Sequence, residues 1–132
     1  MTMTDPIADL FTRLRNAGSA SRKKVDIPHS GIKDAICDVL VREGFLAEKQ
    51  VSEVDGRKYL RVHLKVDDDG RSIMDVIERV SRPGCRVYKQ SRECKRVLRG
   101  LGIGVYSTNK GVLTDAECRE QRLGGEYLGR IW

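Results

Sequence analysis

The chain has 132 residues, with 25 lysines and arginines against 19 aspartates and glutamates and a formal charge of +6. That balance favours a polyanionic partner, while an aromatic content of 5% is too low for a surface that stacks many bases. No apolar run approaches the roughly 18 residues of a membrane span and no signal-peptide core opens the chain, so a soluble, cytosolic protein with no membrane partner is expected.

Asp5 and Pro6 are placed as cap and first residue of a helix. Ile7, Leu10, Phe11 and Leu14 follow at i, i+3, i+4 and i+7, one apolar face. Arg13, Arg15 and Asn16 lie off that face or at its edge, and a Gly-Ser-Ala-Ser loop leads to Arg22, Lys23 and Lys24. On pattern alone these charges form either a solvated face or a phosphate-contacting edge. Residues 25–27 read as a strand ended by Pro28. Ser30 is placed to cap a second helix with Ile32, Ala35, Ile36, Val39 and Leu40 inward, ended by Gly44. Residues 45–54 and 58–66 read as a hairpin about Asp55-Gly56, a tight-turn dipeptide. Leu60, Val62, Leu64 and Val66 alternate with Arg61, His63 and Lys65, so one face is buried and His63 falls on the polar one.

Asp67-Asp68-Asp69-Gly70 is an acidic loop without calcium-loop spacing. It is the expected domain boundary, with an N-terminal domain over residues 1–68 and a C-terminal domain over 69–132. Ile73, Val76, Ile77 and Val80 have helical spacing, in a run short enough to be a strand. Pro83-Gly84 marks a sharp turn. Around it Arg82, Arg86, Lys89, Arg92, Lys95, Arg96 and Arg99 face the single acid Glu93, the most basic part of the chain. Tyr88 among them is either half core or a platform for a base or sugar.

Residues 100–125 are the most informative stretch. Leu101, Ile103 and Val105 alternate with Gly102 and Gly104, a strand with one apolar face and one bare face that lets another backbone approach. Ser107, Thr108, Asn109 and Lys110 follow as a polar turn closed by Gly111. Thr114-Asp115-Ala116-Glu117 has capping-box spacing for a short helix, Gly124 is a fitting stop, and a last strand follows the Gly124-Gly125 pair. Short hydroxyl and amide groups in a framed loop suit the edges and ribose hydroxyls of a polynucleotide, with Lys110 holding a phosphate. The alternative is local turn capping, which such residues often perform.

Other chemistries lack their signatures. Cys37, Cys85, Cys94 and Cys118 form no CxxC pair and the only histidines are His29 and His63, so no metal or cofactor is expected. Four reduced thiols are the simple reading, with an approach of Cys85 to Cys94 the alternative. GLGIG fits neither the phosphate-loop nor the dinucleotide-loop order, and no recognition-helix pair or zinc finger points to DNA. An enzyme is not expected.

GLGIGVYSTNKGVLTD with the following LGGE, DPIADLFTRLRNA near the start and RVSRPGCRVY in the middle closely resemble the eighth protein of the bacterial small ribosomal subunit, the ribosomal protein S8 family. The resemblance covers nearly the whole chain. It implies an α+β fold of two small domains, N-terminal α-β-α-β-β and C-terminal mostly β with short helices, and a strand rather than a helix near residues 73–80. It implies a cytoplasmic, ribosome-bound constituent of the small subunit. Such a protein is a primary binder of an imperfect helix in the central domain of 16S rRNA and assists its assembly. The implied RNA contacts are Ser107, Thr108, Asn109 (where the family usually has serine), Lys110, Gly125, Glu126, Tyr88 and Arg86. A second contact comes from Thr4, Asp5, Arg13, Arg15 and Asn16. Neighbouring small-subunit proteins, the fifth and twelfth suggested among them, are implied partners. In some bacteria the family also represses translation of its own operon mRNA. The family does not require cysteines at these four places.

Overall fold

Helix α1, Pro6–Ser19, begins where its cap predicts: the Asp5 carboxylate accepts from the Ala8 amide at 3.1 Å. The computed structural model describes residues 5–132, so Thr4, one of the candidate contacts, lies outside the described residues. The chain divides into two compact units, residues 9–74 and residues 5–8 with 75–132. Helices and antiparallel sheets occur together, an α+β protein.

In the unit of residues 9–74, Leu10, Phe11 and Leu14 bury the apolar stripe of α1. Strand β1 is Lys24–Pro28 and helix α2 is Gly31–Arg42. The Ser30 hydroxyl accepts from the Lys33 amide at 3.3 Å, the cap that the sequence predicts. Of the residues expected inward on α2, Ile36, Val39 and Leu40 are buried and Ile32 and Ala35 are half-buried; Lys33 is buried as well, which periodicity did not predict. Its long methylene stem packs while burial pushes its ammonium pKa down. Gly44 follows the helix at φ +84°, the left-handed conformation that glycine adopts without penalty.

Strands β2, Leu46–Val54, and β3, Arg57–Leu64, pair about Asp55 and Gly56, at φ +53° and +77°. Both central residues need positive φ in the turn that matches strand twist, which is why Asp-Gly marks it. The sheet order is β1-β3-β2. Leu60, Val62 and Leu64 of the central strand are buried; truncating one to alanine costs about 2–5 kcal/mol. The acidic loop closes on itself, the Asp67 carboxylate accepting from the amides of Asp69 at 2.9 Å and Arg71 at 3.0 Å. The chain then folds back, Ile73 donating to the Lys65 carbonyl at 3.0 Å, so this unit runs on to Met74.

The other unit is built on a sheet of order β4-β8-β6-β7, with β5 also paired to β8. Its strands are β4 Ile77–Arg79, β5 Tyr88–Lys89, β6 Ile103–Thr108, β7 Gly111–Thr114 and β8 Gly125–Ile131; α3, Asp115–Gln121, lies between the last two. Residues 77–79 are therefore extended, as the resemblance implied and helical spacing did not. The capping box forms in full, Glu117 N to Thr114 Oγ1 at 3.2 Å and Thr114 N to Glu117 Oε1 at 3.1 Å.

Three expectations need correction. Leu101 is 81% exposed, because the chain makes a 3-10 turn at Leu98–Gly100 and β6 starts two residues later. Residues 111–114 form strand β7, not merely the end of a turn. Helix α3 ends with Arg122 in the left-handed region at φ +56°, so Gly124 is not its stop. The glycines serve close approach instead: a Cβ on Gly102 would stand 2.5 Å from the Ile131 carbonyl oxygen, and one on Gly124 2.6 Å from that of Lys89.

Tyr106 stacks on Tyr127 with ring centroids 4.5 Å apart, and Cys94, Leu113 and Cys118 complete this core. Cys94 thus neighbours Cys118, while Cys85 is exposed; all four cysteines are free thiols. Burial pushes the Cys118 thiol up to about 12 and Cys37 likewise to about 12, so these are packing groups, not nucleophiles.

Candidate nucleic-acid interface

Antiparallel pairing brings three distant segments into one row. Tyr88 on β5 pairs with Glu126 on β8, Glu126 with Ser107 on β6, and Ser107 with Val112 on β7. Residues directly opposite one another share a face of the sheet, and alternation turns the next row, Tyr106 and Tyr127, to the other face. Ser107, Glu126 and Tyr88 thus stand side by side on the face away from the tyrosine core. Tyr88 is 68% exposed, its ring uncovered. The Ser107 hydroxyl makes no hydrogen bond among the described residues, so it is open both to donate and to accept.

The turn beyond Ser107 is held by its own side chains. Thr108 Oγ1 donates to the Gly111 carbonyl at 2.8 Å and accepts from the Lys110 amide at 3.1 Å. The local-capping reading therefore holds for Thr108, which keeps one lone pair free and no proton. Gly111 at φ +106° completes the turn, and Asn109 and Lys110 are left exposed at its tip. Gly125 packs against this loop so closely that a Cβ there would lie 2.2 Å from the Ser107 carbonyl oxygen. A bare backbone beside a free hydroxyl is what a ribose edge needs in order to approach.

Glu126 is less free than its sequence position suggests. Its Oε2 accepts from the Ser81 hydroxyl at 2.6 Å and from Arg86 at 3.0 Å. Burial raises this carboxyl, but the bonds from Ser81 and Arg86 outweigh it and hold the pKa below the usual range. Ser81, fully buried, also accepts from the Val87 amide at 3.1 Å. A single hydroxyl thus ties the segment carrying Arg86 and Tyr88 to β8. Sequence reasoning misses Ser81, and its only signal is a small polar residue just before Arg82-Pro83-Gly84.

The amino-terminal candidates separate. Asp5, besides capping α1, pairs with Arg79 at 3.3 Å, and Arg79 also donates to the Leu128 carbonyl at 2.7 Å. Both side chains are largely covered, which makes this a structural tie. In the other unit Arg13 pairs with Asp9 at 2.9 Å, and Arg13, Asn16 and Arg22 line a cleft of about 360 Å³. Arg15 is exposed and does not line it. Among the described residues no group of His, Cys, Asp and Glu is placed to hold a metal, and no helix is long and apolar enough to cross a membrane.

The profile of the family described as Ribosomal protein S8 matches residues 5–132. The chain belongs to the ribosomal protein S8 family. It is similar to proteins named "Small ribosomal subunit protein uS8" in Streptococcus agalactiae serotype V, at 46% identity, Streptococcus sanguinis, at 43%, and Streptococcus pneumoniae serotype 19F, at 44%. Each match spans 132 residues and covers 100% of both chains. The protein is accordingly a ribosomal protein of the small subunit and not an enzyme. Within this S8-family chain Tyr88, Glu126 and Ser107 form one sheet row, with Arg86 bonded to Glu126 and Lys110 exposed at the adjoining turn.

Proposed function

We propose that this protein is a primary RNA binder of the small subunit and holds an imperfect helix in the central domain of 16S rRNA through the Ser107 face. The observation that carries this reading is the row Tyr88–Glu126–Ser107, which places an exposed ring, an acceptor and a free hydroxyl along one line. Regular RNA duplexes hide their base edges, so a specific reader works at loops, bulges and widened minor grooves, where 2′-hydroxyls and amines are within reach. In this reading Ser107 pairs with a ribose or base edge, and Thr108 offers its remaining lone pair. Asn109 and Lys110 contact the backbone at the turn tip. Tyr88 stacks, Arg86 neutralises phosphate, and Gly125 admits the strand. Glu126 holds Arg86 and Tyr88 in place, and its Oε1 accepts from a base amine. The cleft of Arg13, Asn16 and Arg22 supplies a second, electrostatic contact, with Arg15 beside it in sequence. Neighbouring small-subunit proteins, the fifth and twelfth suggested by resemblance, and the protein's own operon mRNA are further partners in this reading. So is a cytoplasmic location within the ribosome.

The test is binding at several salt concentrations to three ligands: an imperfect hairpin from the small-subunit central domain, the same hairpin with its internal loop fully paired, and duplex DNA. Tight binding to the first with large losses on the other two supports specific reading. Equal, steeply salt-dependent binding to all three leaves only a basic surface and removes the Ser107 site.

A further inference from the structure

We infer that the opposite face of the same sheet carries a second binding surface, for the phosphodiester backbone of an RNA segment separate from the one on the Ser107 face. A cleft of about 860 Å³ opens there, with Tyr106 and Tyr127 in its lining. These are the residues that alternate with Ser107 and Glu126, so the cleft and the Ser107 row lie on opposite faces.

Four cations line this cleft: Lys89, Arg92, Lys95 and Arg96. None of the four has an ion pair or side-chain hydrogen bond among the described residues. The one acid in the lining, Glu93, has one carboxylate oxygen engaged by the Gln90 amide at 2.9 Å. Arg130 does have a partner, Glu78, at 2.8 and 3.1 Å, and lies 5.5 Å over the ring of Trp132. Trp132 and Arg130 also line the cleft, so a cation and an indole face stand beside the four unpaired charges. With Arg130, five cations stand against the single carboxylate of Glu93 around one concavity, an excess that favours an anion there.

The backbone fixes their arrangement. Leu98, Arg99 and Gly100 take φ of +46°, +56° and +96°, three left-handed residues in succession. Two of these are not glycine, which costs about 1–2 kcal/mol each. A bridge from Val97 to Gly102 ties off this knuckle, so the segment holding Lys95 and Arg96 is pinned at the cleft wall. Dispersed cations suit a phosphodiester backbone. A protein partner would instead require a desolvated apolar anchor pocket with charges at its rim, and the charges here line the cleft itself. The protein would then join two RNA segments, one on each face of a single sheet.

This inference relies on the proposed function only in taking RNA as the ligand, and one experiment separates the two. The full chain is saturated with the imperfect hairpin, and a short labelled RNA duplex is then added at several salt concentrations. The hairpin-loaded protein is expected to take up the duplex with a steep salt dependence. Arg92→Ala/Lys95→Ala/Arg96→Ala, all exposed positions, is expected to weaken duplex uptake about tenfold or more and to lower its log–log salt slope by about two to three, with hairpin affinity unchanged. Three outcomes overturn the inference: no duplex uptake by the loaded wild type, a triple variant that loses the hairpin instead, or a poly-glutamate peptide that occupies the cleft more tightly than the duplex. A hairpin bound no better than its fully paired form, with duplex uptake intact and sensitive to the triple variant, defeats the Ser107 reading and leaves this one standing.

Discussion

Replacing Ser81 by alanine tests whether one buried hydroxyl organises the Ser107 face. Ser81 is 0% exposed; its hydroxyl donates to Glu126 at 2.6 Å and accepts from Val87 at 3.1 Å. Alanine removes a charge-assisted hydrogen bond, worth about 1.5–3 kcal/mol, and leaves the Val87 amide without a partner, a penalty of about 1–3 kcal/mol. Arg86 still pairs with Glu126 at the more exposed edge, so the carboxylate is not stranded, and a net loss of about 3 kcal/mol is expected in urea unfolding. Amide hydrogen exchange at Val87 should accelerate locally as well. The pH dependence changes with it. A carboxyl held below its unfolded value stabilises the fold above that unfolded value, and the contribution is lost as pH falls through the folded one. Ser81 is one of the groups that hold Glu126 low, so the variant should lose less stability on acidification than the wild type. A variant within about 0.5 kcal/mol of wild type, with Val87 exchange unchanged, refutes the argument that Ser81 anchors this segment.

Other substitutions separate reading from charge and from packing. Ser107→Ala is expected to weaken the central-domain hairpin by about 1–2 kcal/mol with an unchanged salt slope, since a hydroxyl neutralises no phosphate; a flattened slope in a salt titration counts against it. Lys110→Ala should lower affinity for all RNA ligands alike and reduce the slope by about one contact, and a slope that stays put removes Lys110 from the phosphate backbone. Gly125→Ala forces a methyl to 2.2 Å from a backbone oxygen, which only separation of β6 and β8 relieves. It should cost more than about 3 kcal/mol in urea unfolding and abolish hairpin binding with it; a stable variant means that the two strands are not so close.

The parts of this fold that were legible in the sequence are those decided within a few residues. Asp5 before Pro6, Ser30 three residues before Lys33, Thr114 three before Glu117, and Asp55-Gly56 each act through a local hydrogen bond or a local φ, and each is found in place. The alternation of Leu60, Val62 and Leu64 is equally local and marks the buried face of β3. Glycines are ambiguous where their reason is remote: Gly124 fits a helix stop by position, but the backbone it makes room for belongs to Lys89, thirty-five positions away. Leu101 alternated correctly yet is exposed, because the Leu98–Gly100 turn delays the strand.

The candidate site follows the same physical rule. Its loop, Ser107 to Lys110, is contiguous and was visible as a motif. Its row is not contiguous, since Tyr88, Glu126 and Ser107 meet only through the register of three strands. Ser81 had almost no signal, because a buried serine and a surface serine are the same letter. Register also explains why one sheet can carry two different surfaces. On a strand, successive side chains point to opposite faces, so Tyr88 and Lys89, adjacent in sequence, serve opposite sides of the sheet. The basic stretch from Arg82 to Arg99 reads in sequence as one patch. Folded, it divides: Arg86 reaches Glu126 beside the Ser107 row, while Lys89, Arg92, Lys95 and Arg96 line the cleft behind it. A charge count over that stretch therefore overstates the field at either face. The salt slope of each RNA ligand should report only the cations of its own side, and this makes the two faces separable by titration.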